Sequence, residues 1–301
     1  MKRKEVVISK EQKEKSRMKR LRLAFRRRRE GKTDYRQRQK LIRHNKSNYG
    51  EVKSRLVVRI TNSKVICQIV QAYKVGDRVV CAADSTELKK YGITFGLKNY
   101  SAAYATGFLC ARKMLHSAGL SETYPGKEEI DGEEYLEEKN EEGPQPYTCY
   151  LDLGLARSSK GAKVFAAMKG ACDGGLYVPH SSSKFIGYDN EKKELDAEAL
   201  KNHIYGGHVA SYMKELKEND EEKYKRHFGE YIRQKIEPDT IEERYQKAFG
   251  MIREEKFEKK QEKKAVDRSK YKARNAKRLT AEERKVRAEA KYQMLTGEAT
   301  E

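Results

Sequence analysis

Four consecutive arginines, Arg26 to Arg29, open the stretch FRRRREGKTDYRQRQKLIR, in which Lys32, Arg36, Arg38 and Arg43 follow at short intervals. So many cations cannot enter a protein core, because each buried charge would need its own carboxylate. The stretch offers only Glu30 and Asp34. The chemistry open to these residue types is recognition of a polyanion. Arginine forks match phosphate oxygens, the rings of Phe25, Tyr35 and Tyr49 can stack on exposed bases, and Gly31 permits close backbone approach. An unpaired polycation also repels itself, and a phosphate backbone relieves that repulsion. The plainer readings are a solvated charge run or an import signal.

Other reactive residue types do not assemble an enzyme. GLARSSKG, Gly154 to Gly161, resembles a phosphate loop but lacks the G-K-[ST] ending. Ser181-Ser182-Ser183-Lys184 matches S-x-x-K without the companion motifs of penicillin-recognising enzymes. His203 and His208 are five apart, which does not put two metal ligands on one helical face. Cys67, Cys81, Cys110, Cys149 and Cys172 contain no C-x-x-C pair and lie among apolar or small residues, as reduced buried thiols do. No catalytic residue, metal or cofactor is expected. Arg157, Lys160 and Lys163 belong to a loop that is either RNA-facing or simply solvated.

The distribution of charge sharpens this reading. The chain of 301 residues carries a net +20. Residues 1–46 hold twenty Lys/Arg against five acids, and residues 256–301 hold fifteen against eight. Residues 122–142 run the other way, with ten acids against Lys127 and Lys139. Basic ends around a balanced body point to nucleic acid ahead of an anionic membrane surface or an import receptor. No apolar run approaches the length that spans a bilayer, and the N-terminus lacks a hydrophobic signal core, so a soluble intracellular protein without a membrane partner is expected. RNA is preferred to DNA, because no helix-turn-helix, finger or basic-zipper pattern is present.

The elements that must position these groups follow from periodicity. RLVVRIT alternates, with Leu56, Val58 and Ile60 on one face and Arg55, Arg59 and Thr61 on the other. KVICQIVQAY and RVVCAAD continue it across turns at Asn62-Ser63 and Gly76, which predicts a three-strand antiparallel meander. On this reading Arg55, Arg59 and Lys64 extend the cationic surface beyond the arm. NYSAAYATGFLCARKMLHSA predicts a small-residue helix able to approach a sheet closely, stopped by Gly119. The acidic segment reads as a solvated loop, YTCYLDLGLA as a further strand, and KVFAAMKGACD as a helix ended by Gly174-Gly175. From Leu195 onward the pattern is helical. Pro238 breaks it, Asp239 or Thr240 is placed to cap a helix carrying Ile241, Tyr245, Phe249 and Ile252, and a last helix is possible after Thr280. The expected fold is α+β: a mixed sheet packed with helices, then a helical region. It divides into a basic arm (1–54), a sheet domain with an acidic loop at 122–146 (55–190), a helical region (191–255) and a basic tail (256–301).

Longer strings carry a resemblance. FRRRREGKTDYRQRQKLI, VVRITNSKVICQIV, KYGITFGLKNYSAAYATGFLCARK, YLDLGLARSSKGAKVFAAMKGACDGGLYVPHSSSKFIGYD and HIYGGHVASYMKELKENDEEKYKRHFGEYIRQ are similar to the eukaryotic branch of the universal large-subunit ribosomal family eighteen. The likeness covers roughly residues 20–255, while the two ends match in charge more than in spelling. The resemblance implies a structural role in the large ribosomal subunit, binding of 5S ribosomal RNA beside other large-subunit ribosomal RNA, and a neighbouring ribosomal protein, eleven in eukaryotic numbering. It also implies passage through nucleus and nucleolus to cytoplasmic ribosomes, with an import or assembly chaperone on the arm. RNA contacts are then expected from Arg26, Arg27, Arg28, Arg29, Lys32, Tyr35, Arg36, Arg38, Arg43, Arg55, Arg59, Lys64, Arg157, Lys160 and Lys163. The alternative is an assembly or regulatory adaptor that stays off the mature ribosome.

Overall fold

Alternating apolar residues build the meander. β1 (Ser54–Ile60), β2 (Val65–Ala72) and β3 (Asp77–Asp84) pair antiparallel, and β4 (Cys149–Asp152) adds parallel to the other edge of β1, giving the order β3-β2-β1-β4. The computed structural model describes residues 25–43, 52–138, 140, 143–257 and 279–296. Thr61 closes the first turn: its hydroxyl donates to the Lys64 carbonyl at 2.9 Å and accepts from the Lys64 N–H at 3.1 Å. Leu56 and Val58 point inward as expected, but Ile60 is 38 % exposed, being the last pair (with Val65) before that turn.

Two helices cover one face of the sheet. α3 (Tyr100–Ala118) is buried on almost every side through its first four turns, and α4 (Lys163–Asp173) follows β4. Their small residues allow backbone-to-backbone contact. A Cβ on Gly107 would lie 1.9 Å from the Ala167 carbonyl oxygen, and one on Gly170 would lie 2.1 Å from that of Tyr104. α3 packs on the sheet as expected, Cys110 meeting Cys67 and Cys81, and makes its closest backbone approach to a helix. Beside this crossing sits a buried polar knot. Lys169 donates to Asp173 at 2.5 Å and to the Glu133 carbonyl at 2.6 Å, and the Tyr104 hydroxyl donates to the other Asp173 oxygen at 2.6 Å.

That knot corrects the picture of a merely solvated acidic loop. Tyr124 and Ile130 are buried, Lys169 holds the Glu133 carbonyl, and Arg253 donates to the carbonyls of Lys127 and Glu128. The carboxylates of Glu128, Glu129, Glu133, Glu134 and Glu138 still face outward. The backbone is anchored and the charges are solvated.

α5 (Ala197–Tyr205), α6 (Gly207–Asn219), α7 (Glu221–His227), α8 (Gly229–Arg233) and α9 (Thr240–Glu254) share one hydrophobic core with the sheet and α3. Ile241, Tyr245, Phe249 and Ile252 are buried, and the Phe249 ring meets Tyr104 and Phe108 edge-on at 5.5 and 5.8 Å. The side-chain cap expected at α9 is not made. Asp239 is itself in helical conformation and pairs with Lys214 at 2.6 Å instead. α10 (Ala281–Thr296) belongs to a separate unit and does carry a capping box: the Thr280 N–H donates to Glu283 at 2.8 Å, and the Glu283 N–H to the Thr280 hydroxyl at 3.3 Å.

Candidate nucleic-acid interface

With helices on one face, the other face of the sheet is left to the arm. Two short helices, α1 (Arg26–Arg29) and α2 (Tyr35–Ile42), are joined through Gly31, whose φ of 64° a side chain would strain. Asp34 caps α2, accepting from the N–H groups of Arg36 at 3.0 Å and Gln37 at 3.4 Å. The Phe25 ring lies 4.8 Å from Tyr35. Local chemistry thus shapes the arm before it meets the sheet.

The joint is a chain of alternating charge. Arg38 forks onto Asp77 with two bonds of 2.6 Å, Asp77 also accepts from Arg55 at 2.7 Å, and Arg55 reaches Asp152 at 2.9 Å. Arg59 closes the series, donating to the Asp152 carboxylate at 2.8 Å and to its carbonyl at 2.7 Å. Bonds from Arg38, aided by the nearby Arg55, hold the Asp77 carboxyl below the usual carboxylate range despite its partial burial.

The expected contact residues separate into groups. Arg28, Arg29, Arg36 and Arg43 are exposed and have no acidic partner among the described residues. Arg26 and Lys32 flank Glu30 at 2.8 and 2.9 Å, and together they pull its carboxyl down. Arg27 donates to the Thr33 hydroxyl at 3.0 Å, and Tyr35 is half-buried against Phe25. Arg38 is committed to the sheet. Lys64 pairs with Asp84, and Arg59 keeps part of its side chain exposed. Arg157 is exposed, and Lys160 donates to the Tyr188 carbonyl. Lys163 is half-buried, its ammonium pKa drawn down by burial first and by Lys98 second.

Arg55 is the correction. Alternation puts it on the polar face, but it is only 3 % exposed, between Asp77 and Asp152. It joins the arm to the sheet instead of extending the cationic surface. The acids that make this joint, Asp77 and Asp152, escaped the sequence reading. The available signal was an aspartate at each strand end, a residue type depleted from strands.

Comparison with known proteins places the chain in a family. The family described as ribosomal large subunit proteins 60S L5 and 50S L18 matches residues 19–181, and the ribosomal L18 C-terminal region matches residues 241–297. The chain belongs to the ribosomal L5/L18 family. The large ribosomal subunit protein uL18 of Candida albicans is 55% identical over 217 residues, covering 72% of this chain and 73% of that protein. The Saccharomyces cerevisiae protein of the same name is 53% identical over 217 residues, with the same coverage. That of Suberites domuncula is 50% identical over 229 residues, covering 76% of this chain and 78% of its own.

Membership of the L5/L18 family makes the protein a structural component of the large ribosomal subunit, with ribosomal RNA as its partner. The family's stretch at residues 19–181 includes the described arm, the sheet, α3 and α4. Among the described residues no helix is long and apolar enough to cross a membrane. The five cysteines are free thiols, four of them buried; burial pushes Cys67 up to about 12, which suits packing and not reactivity.

Proposed function

We propose that this L5/L18 family member binds 5S ribosomal RNA through its arm and anchors the 5S ribonucleoprotein as the large subunit assembles. One observation carries the reading. Arg28, Arg29 and Arg36 project without acidic partners among the described residues from an arm that Arg38 fastens to the folded body. A free polycation would bind any RNA, whereas a fixed one presents its guanidinium forks in a set arrangement that discriminates by shape. Arg157 and Lys160, with Lys163 at the start of α4, add a second cationic loop for large-subunit ribosomal RNA. From family resemblance the partners also include ribosomal protein eleven of the large subunit and an import or assembly chaperone on the arm. The route is nuclear assembly followed by cytoplasmic service, and the role is structural, not enzymatic.

The test is the salt dependence of 5S RNA binding by the full chain and by a chain lacking residues 1–46. With about five phosphates neutralised by the arm, the log–log slope is expected near −4 for wild type and markedly flatter for the truncation. A slope unchanged by truncation would move the interface off the arm.

A further inference from the structure

Between the arm and the open face of the sheet lies a cleft of about 570 Å³, a volume within the range of ligand sites. Its lining is not what a phosphate groove requires. Val57, Val70 and Val79, from three neighbouring strands, give it an apolar floor, and Val79 is 50 % exposed. Gln68 from β2 and Gln37 from α2 also line it, and neither side-chain amide has a hydrogen-bond partner among the described residues. Tyr35, against which Phe25 leans, forms part of the wall.

The charges of the cleft are arranged in two tiers. Arg27, Lys32 and Arg59 belong to its lining and keep exposed surface, whereas Asp34, Asp77 and Asp152 are taken up by the α2 cap and by the arginine chain. Arg38 and Arg55 also line the interior, but both are engaged by Asp77 and Asp152. A phosphate pushed inside would meet valines and charges already neutralised, so it belongs at the cationic edge. What suits the interior is a flat group with apolar faces and a polar edge. A nucleobase has that form: its face can lie on the valines and Tyr35, and a glutamine amide offers both donor and acceptor to its edge.

We propose that one unstacked base of the bound ribosomal RNA enters this cleft, with its edge read by Gln68 and Gln37 and its flanking phosphates held by Arg27, Lys32 and Arg59. The inference rests on the RNA-binding reading above and adds which part of the RNA is read. It adds uncharged residues to the arginine arrangement as a source of selectivity, and their share can be removed without changing the charge.

The experiment compares the full chain with its Gln68→Met and Gln37→Met variants, on 5S RNA and on an unrelated RNA of equal length. Each variant keeps side-chain length and removes only the amide. Preference for 5S RNA is expected to fall about tenfold per amide, while the salt slope stays at the wild-type value because no phosphate contact is lost. Dimethyl sulfate probing of the complexes gives the second readout: one base protected by wild type becomes reactive with Gln68→Met. Unchanged preference, or a loss accompanied by a flatter slope, overturns the base-binding cleft. Wild type that binds both RNAs equally overturns it as well, and leaves the arm as a non-selective anchor. Wild type that binds neither removes the RNA-binding reading itself.

Discussion

Arg38 on the arm and Asp77 at the start of β3 form a two-pronged ion pair, both bonds 2.6 Å, across 39 positions of sequence. Both side chains are less than a third exposed, and Asp77 also neutralises Arg55. The pair fixes the arm to the sheet, so in the proposed function a carboxylate serves the RNA-binding surface by orienting its cations.

Asp77→Asn separates this role from bulk electrostatics. Removing a negative charge beside bound RNA should tighten binding if only net charge matters. With the arm unlatched, 5S RNA affinity is instead expected to fall about tenfold, or ~1.4 kcal/mol, with affinity for unrelated RNA unchanged or raised. The sign with pH follows from the lowered Asp77 pKa. Its folded value lies below the unfolded 3.8, so the latch contributes fully above that value and is lost as pH falls through the lower one. Filter binding at neutral pH, where the latch is fully charged, checks the prediction. Tighter 5S binding by the variant would refute it.

The Lys169–Asp173 pair makes a prediction about stability alone. Both side chains are essentially inaccessible, and burial pushes the Asp173 carboxyl up against the pull of Lys169. Lys169→Met strands a buried carboxylate and releases the Glu133 carbonyl, at an expected cost of about 3–5 kcal/mol. The double change Lys169→Met with Asp173→Leu should cost less than the single one, because no charge is left unpaired. Urea denaturation of the three proteins measures the difference, and a double variant weaker than Lys169→Met would contradict this account.

His208 provides the second pH effect. Its ring stacks on His203 with centroids 4.5 Å apart and planes 15° apart. Burial first, then His203, lowers its pKa from 6.5 to about 4. The unfolded chain therefore takes up a proton near pH 6.5 that the folded chain refuses until about pH 4. Stability from this site is whole above 6.5 and declines as pH falls toward 4. Melting temperatures of wild type and His208→Gln between pH 7 and 4 should converge as pH falls, the variant lacking this slope. Parallel curves would show that the histidine takes up its proton equally in both states, with no shift on folding.

Local pattern accounts for what was legible in the sequence. Leu56 and Val58 alternate into the core, Tyr104 and Phe108 recur at helical spacing, and the arginine run cannot be interior. What escaped was set by pairing over distance. Arg55 looks like a surface cation until Asp77, 22 positions away, and Asp152, 97 away, close around it. The cleft lay hidden for the same reason: Gln37 and Gln68 face one another's space only when the arm is docked. The small residues of α3 announced a close approach, but nothing in them named α4 as the element approached.

The acidic loop separates charge from anchorage. Glu128, Glu129, Glu134 and Glu138 are exposed and would repel phosphate, so they should stand away from RNA, facing solvent or a basic protein neighbour. Changing all four to glutamine is expected to leave both 5S RNA affinity and melting temperature near wild type. Deleting residues 128–138 is a different operation, because it removes buried Ile130 and the Glu133 carbonyl that Lys169 holds. An unsatisfied buried ammonium bond alone costs about 1–3 kcal/mol, and the lost apolar side chain adds to it. The deletion should therefore melt several degrees lower while the folded fraction still binds 5S RNA. RNA crosslinks concentrated in residues 128–138, or a quadruple glutamine variant whose 5S affinity collapses, would place this loop at the RNA and undo the division of charge proposed for the molecule.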